Sequence, residues 1–194
     1  MHFRRLVSLL LGMWLGGCFF MALVATQNFR GVDRLLVSPA PQAQPAVNLL
    51  GAQARPLLRY QVSELNRWYF ETWDTVQLGL GLLLLFLLVF ATHEKAISIL
   101  PALLMLLITI LDRFLITPQI VDLGRALDFA ADVRSSTDSR FWTLHATYSG
   151  LEVGKWVLGL LLAARLVLRN GKTSGHPRRK VDLVDEADHG HVNR

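Results

Sequence analysis

The chain is 194 residues long, 52% hydrophobic and 18% charged, against about 45–50% apolar and 25% charged for a soluble domain. With a mean hydropathy of +0.36 and its apolar residues gathered in blocks, it reads as an integral membrane protein, and collagen, disulfide scaffolds and disordered chains are excluded. The net charge of +5 comes from Arg and Lys dispersed without a nucleic-acid recognition motif, and the single cysteine excludes an intrachain disulfide or a cysteine-based metal cluster.

A hydrocarbon core about 30 Å thick takes roughly 20 helical residues, because lipid offers backbone groups no partner outside their own helix. Four segments meet that test, so the expected fold is all-α, a four-helix transmembrane bundle over residues 1–168 with a tail at 169–194. Span one, residues 6–25, carries no charge. Arg4-Arg5, the apolar run and Leu15-Gly16-Gly17-Cys18 imitate a lipoprotein signal. Phe19-Phe20-Met21-Ala22-Leu23-Val24-Ala25 prolongs that run to membrane length, so the expectation is a retained helix.

The outer loop at 26–72 is long for a connection, and Pro39, Pro41 and Pro45 argue against helix in its first part. After Pro56, Leu58, Val62, Leu65 and Tyr69 recur at helical spacing, which predicts an amphipathic helix dipping into the membrane ahead of span two. Trp68, Tyr69, Phe70 and Trp73 fall at interface depth.

Span two runs from about 73 to 91, with Asp74 and Gln77 at its start. Thr92-His93-Glu94-Lys95 leaves room only for a tight antiparallel hairpin. Span three, 96–116, is uncharged as far as Leu111, then carries Asp112 and Arg113 before Thr117-Pro118; Pro101 predicts a kink. The second outer loop, 117–140, reads as helical from Ile120 to Val133. Span four, 141–168, is the least apolar, with His145, Glu152 and Lys155 ahead of the run Trp156 to Ala164. The tail after Asn170 is polar and expected to be disordered.

Both termini then share a side with Arg4, Arg5, Lys95, Arg165, Arg169, Lys172, Arg178, Arg179 and Lys180. The positive-inside rule makes it cytoplasmic, in the cell (inner) membrane, although Arg30, Arg34, Arg55, Arg59, Arg67, Arg125, Arg134 and Arg140 lie opposite in longer loops.

Ionisable residues within spans are costly and face the bundle interior. His145, Tyr148, Glu152 and Lys155 share one face of span four by their spacing. Glu64, Arg67, Glu71 and Asp74 make a second stripe with Gln77 one turn deeper, and Asp112 and Arg113 sit about 7 Å below the outer end of span three at roughly 1.5 Å per residue. All three groups reach the outer half, which predicts a polar pocket open to the non-cytoplasmic side. Two readings remain open: charge pairs that orient helices, or a ligand or proton pathway. Gly12 with Gly16, and Gly150 with Gly154, are small-xxx-small pairs whose expected role is helix packing.

His145 is the single histidine within a span, so two-histidine haem ligation lacks a second ligand. His93 lies at the hairpin, and His176 and the pair His189-Gly190-His191 lie in the tail. No nucleophile motif, phosphate loop or nucleotide fingerprint occurs. A lipid-acting enzyme with Asp112 or Glu152 as base would need a partner nucleophile that the sequence does not place.

Trp14-Leu15-Gly16-Gly17 with Phe19-Phe20, the hairpin of spans two and three, and Arg140-Phe141-Trp142-Thr143-Leu144-His145 together carry a family resemblance. The chain resembles the bacterial four-span membrane family called domain of unknown function 4149, itself similar to small copper-resistance and haem-associated membrane proteins. The resemblance implies a multi-pass four-helix membrane protein without an established activity. It brings in haem or copper, but the histidine that the haem-associated relatives carry early in span one is replaced here by Val7 or Ser8. The cofactor and metal expectation from the residues is none. The expected role is a non-catalytic binding, transport-accessory or assembly subunit, with lipid and membrane-protein partners or a second copy and no nucleic acid. The alternative is a redox, metal or proton-handling protein using His145, Tyr148 and Glu152.

Overall fold

Leucine-rich runs with few β-branched breaks favour helix, and the computed structural model, which describes residues 2–92, 95–128 and 136–172, has no strand among them. Helix α1 spans His2–Val37, the short α2 Gln44–Leu50, α3 Ala54–Phe86, α4 Ala96–Leu111, α5 Thr117–Leu127 and α6 Ser136–Lys172. Two π turns, Leu87–Ala91 and Asp112–Ile116, end α3 and join α4 to α5. Three helical stretches, Phe3–Val37, Gln44–Ala91 and Ala96–Leu127, are long and apolar enough to cross a membrane.

Each long helix buries one seam at alternating steps of three and four residues, the spacing that keeps a stripe on one face. In α1 the seam positions are Val7, Leu11, Trp14 and Cys18; in α3 and its π turn, Asp74, Gln77, Gly81, Leu84 and Leu88; in α4 and its π turn, Ser98, Ala102, Met105, Thr109 and Asp112. Helix α6 adds Tyr148, Lys155, Leu162 and Leu166. The apolar members form one core near the α3–α4 hairpin, and the polar members other than Ser98 meet toward the opposite, loop end.

Close approach is bought by glycine at Gly17, against the Trp73 ring, and at Gly81, where an added Cβ would fall 2.8 Å from Trp14 Cη2 and 2.9 Å from Leu106 Cδ1. Gly159 likewise admits Leu15, whose Cδ2 would be 2.6 Å from a Cβ there. The expected packing glycines need correction. A Cβ at Gly12, Gly16, Gly150 or Gly154 would meet nothing within 4 Å, so they bring no helix into close approach among the described residues.

The connections also differ from the sequence expectation. Helix α1 continues to Val37, and Pro45 stands in the first turn of α2, where a missing N–H costs nothing. Gly51, at φ +54, takes a positive-φ conformation that glycine tolerates and so ends α2. The helix expected after Pro56 is the first half of an unbroken α3. Thr117-Pro118 does not stop the third long helix; a π turn widens it and Pro118 opens α5. Helix α5 ends at Leu127, and residues 129–133 of the expected Ile120–Val133 helix lie outside the described residues. Helix α6 runs on to Lys172; the tail beyond it, like His93, lies outside them as well.

Pro101 stands inside α4 and has no N–H, which leaves the Ile97 carbonyl without its helical donor. Arg165 of α6 supplies one, with Nη1 donating to Ile97 O over 2.8 Å. The proline thus fixes α6 to the start of α4 at the hairpin end.

Candidate functional site

Helical period alone brings the polar seam positions of α3, the second π turn and α6 to one level, because adjacent helices run in opposite directions. Lys155, fully buried, is the centre. Its Nζ lies 3.1 Å from Asp112 Oδ2 and 2.6 Å from Glu152 Oε1, and it donates to Gln77 Oε1 over 2.9 Å. The same Gln77 oxygen accepts the Trp14 indole N–H at 2.8 Å and the Cys18 thiol at 3.7 Å, which ties α1 into the group. Asp74, also fully buried, accepts the Thr117 hydroxyl at 2.7 Å and the Tyr148 hydroxyl at 3.2 Å. Two carboxyl groups, Asp112 and Glu152, therefore flank one ammonium, and a third, Asp74, is held beside them by hydroxyls. Neither Asp112 oxygen, nor Glu152 Oε1, nor Gln77 Nε2 has an aligned hydrogen-bond partner, so Lys155 meets the two carboxyls as ion pairs and Gln77 by a hydrogen bond.

Beside this cluster lies a cavity of 670 Å³ between α1, α3, α5 and α6, a size typical of small-molecule sites. Aromatic side chains dominate its wall: Phe19, Phe29, Phe70, Trp73, Phe141 and Trp156. Helices α1 and α6 meet at Phe19 and Trp156, whose rings are 6.0 Å apart, and the cavity's other α1 and α6 lining residues are mainly on the loop-end side of that contact. Glu152, Tyr148 and His145 line one side of it. Glu152 is thus shared by cavity and cluster, with 20% of its side chain exposed while Lys155 and Asp112 have none.

A second ionic group closes the loop end. Arg125 of α5 grips Glu64 of α3 through Nε and Nη2, each 3.1 Å from a carboxylate oxygen. Arg67 pairs with the same Glu64 and with Asp128, at 2.7 Å. Gly124 leaves room for the Arg67 guanidinium, since a Cβ there would lie 2.9 Å from Nη2. Glu64 precedes the apolar stretch of α3, and the Arg125 guanidinium, then Arg67, holds its carboxyl down to about 2. Asn28 donates to Asn66 over 2.7 Å, and Arg55 pairs with Asp33 at 2.8 Å, both joining α1 to α3.

Of the sequence candidates, Asp74, Gln77, Asp112, Tyr148, Glu152 and Lys155 come together. Arg113 does not; it points off the seam and lies over the Phe114 ring, 5.9 Å from its centroid. His145 lines the cavity, stacked on Phe141 at 5.9 Å, apart from Lys155. Glu64 and Arg67 belong to the loop-end group, not to the Asp74 stripe they share by spacing. The aromatic cluster divides: Trp68 lies beside Tyr69, Phe70 meets Tyr148 edge-on, and Trp73 turns inward onto Gly17. Sequence reasoning did not assign Trp14, Cys18 and Thr117 to the site; the seam spacing of α1 and the hydroxyl five residues after Asp112 were the available signals.

Among the described residues no group of three or more His, Cys, Asp or Glu side chains is arranged to hold a metal ion. His176, His189 and His191 lie outside those residues. The fold and site define a class: an all-helical protein with three helices apolar enough to cross a membrane and a buried ionic cluster beside an aromatic cavity. Compared with family models, curated proteins and solved structures, the chain matches none of them.

Proposed function

We propose that the protein is a four-span membrane protein of the binding, non-catalytic kind, and that its working site is the aromatic cavity with the polar cluster on its flank. Helix α6 is the fourth span. Its charged residues Glu152 and Lys155 turn inward, while Val157, Leu160, Leu161, Val167 and Leu168 make its exposed face apolar. That arrangement lets a helix with two mid-span charges sit in lipid. Arg4, Arg5, Lys95 and Arg165 at the hairpin end support an inner-membrane orientation with both termini cytoplasmic. The ligand class is a membrane-soluble small molecule with an apolar body for the aromatic wall and one hydrogen-bonding group for Glu152, Tyr148 or His145. The single observation carrying this reading is the 670 Å³ cavity, walled by aromatic side chains and bordered along α6 by His145, Tyr148 and Glu152.

Purification in mild detergent, followed by native mass spectrometry and lipid extraction, tests it. The expected result is one small apolar molecule per chain in the wild type and its loss in Ala22→Phe and Val153→Phe, which fill the cavity from α1 and α6. A wild type carrying only bulk phospholipid, or filled variants that keep the molecule, would overturn the proposal.

A further inference from the structure

We propose that the buried cluster is a proton-binding site in which Asp74 is held as a neutral carboxylic acid and Glu152 exchanges a second proton with the cavity. This goes beyond ligand binding and stands whether or not the cavity takes a small molecule.

The count of charges carries the first half. Of the groups lining the cavity with Glu152, Arg67 is already paired with Glu64 and Asp128 and His145 stacks on Phe141; the cluster that holds Asp74 contains Cys18 from α1, Asp112 from the second π turn, and Tyr148, Glu152 and Lys155 from α6, while α5 offers the Thr117 hydroxyl. Lys155 is the one cation of this group, and it already touches Asp112 and Glu152. With all carboxyls ionised, the cluster would hold two uncompensated negative charges around the fully buried Asp74, Asp112 and Lys155, which a low-dielectric interior does not support. Asp74 is the carboxyl that Lys155 does not reach. Its partners, Thr117 at 2.7 Å and Tyr148 at 3.2 Å, are hydroxyls. A hydroxyl can accept as well as donate, so a protonated Asp74 can donate to the Thr117 oxygen and accept from the Tyr148 hydroxyl with no heavy atom displaced.

Exposure carries the second half. With Asp74 neutral, Lys155, Asp112 and Glu152 together retain one negative charge. Asp112 has no contact with the cavity, whereas Glu152 lines it and keeps 20% of its side chain exposed. A hydronium in the cavity transfers its proton to a Glu152 carboxylate oxygen and becomes water, and no electron transfer is involved. Lys155 then stays paired with Asp112 and the cluster is neutral. Release reverses the step and returns Glu152 to Lys155.

Infrared spectroscopy of the full chain in lipid nanodiscs reads neutral acids directly by their carbonyl stretch. Carboxyl-labelled aspartate and carboxyl-labelled glutamate, incorporated separately into the unaltered protein, assign the band without any substitution. At pH 7 the proposal expects one neutral-acid band that moves with aspartate labelling. Acidification should add a second band that moves with glutamate labelling and is lost in Glu152→Gln. Asp74→Asn should remove the first band. Should Asp74→Asn fail to fold, Thr117→Val serves instead, because losing one hydrogen-bond partner shifts that band's frequency. An unaltered protein without an aspartate-derived neutral-acid band at pH 7 overturns the proposal. So does a band untouched by Asp74→Asn or Thr117→Val. Ala22→Phe, which tests ligand binding, should leave the aspartate-derived band in place, because Asp74 does not line the cavity, so the two proposals fail separately.

Discussion

The two halves of the bundle use the same seam with opposite chemistry. At the hairpin end, Val7, Leu11, Leu84, Leu88, Ala102, Met105, Leu162 and Leu166 interlock as an apolar core. Toward the loop end the same helical registers deliver Gln77, Asp74, Thr109, Asp112, Lys155 and Tyr148. In lipid, apolar contact between helices gains little over contact with lipid tails, so the apolar half is held by fit, above all where Gly81 admits Trp14. The polar half is held by the cost of exposing its groups. Fit tolerates shape-conserving change, while charge tolerates only paired change.

The largest effect is expected where that contrast is sharpest. Lys155→Ala should destabilise by about 3–5 kcal/mol, because it leaves buried carboxyls without their cation. Adding Asp112→Asn should recover part of the loss, seen as a positive coupling in a double-mutant cycle of unfolding in detergent micelles. A strictly additive pair would break the account of the polar half. In the apolar half, Leu162→Ala should cost about 2 kcal/mol, the low end for a buried leucine since lipid replaces water as the competing solvent. The same unfolding assay checks it, and no charge change should restore it.

A smaller effect belongs to the α4–α6 tie at the hairpin end. Arg165→Gln should cost about 1 kcal/mol, the worth of one hydrogen bond to the Ile97 carbonyl. In a Pro101→Ala background the cost should vanish, because the restored N–H satisfies that carbonyl within α4. The smallest effect is the pH response of the loop end. The folded-state Glu64 carboxyl titrates at about 2, below its ordinary 4.5. Its pairing with Arg125 therefore contributes fully above pH 4.5 and is lost as pH falls toward 2. Spin labels at Arg59 and Asp122 should report α5 moving from α3 over that window and not above it.

Much of this was legible from helical period. The spacing of Tyr148, Glu152 and Lys155, and of Asp74 and Gln77, fixed which side chains face inward, and the opposite directions of neighbouring helices put them at one level. Period could not reveal what happens where helices continue. Pro45 and Thr117-Pro118 look like stops, yet a first-turn position and a π turn accommodate them. Arg113 follows Asp112 by one residue, which on a helix is about 100° of rotation, and so misses the cluster. The glycine pairs misled for a related reason: small-xxx-small spacing marks a flat face, but only the partner helix decides which flat face is covered. Gly17 and Gly81 are covered by tryptophans whose reach the sequence does not encode locally.

The central claim is that Glu152 and Lys155 sit inside a membrane because α6 crosses it beside the three apolar helices. Single cysteines along α6 in a Cys18→Ser background, labelled by a membrane-impermeant maleimide in oriented vesicles, test it most directly. The account predicts that a cysteine at Ser139 labels from one face only, one at Leu168 from the other face only, and one at Leu158 from neither. Labelling of Ser139 and Leu168 positions from the same face would contradict it.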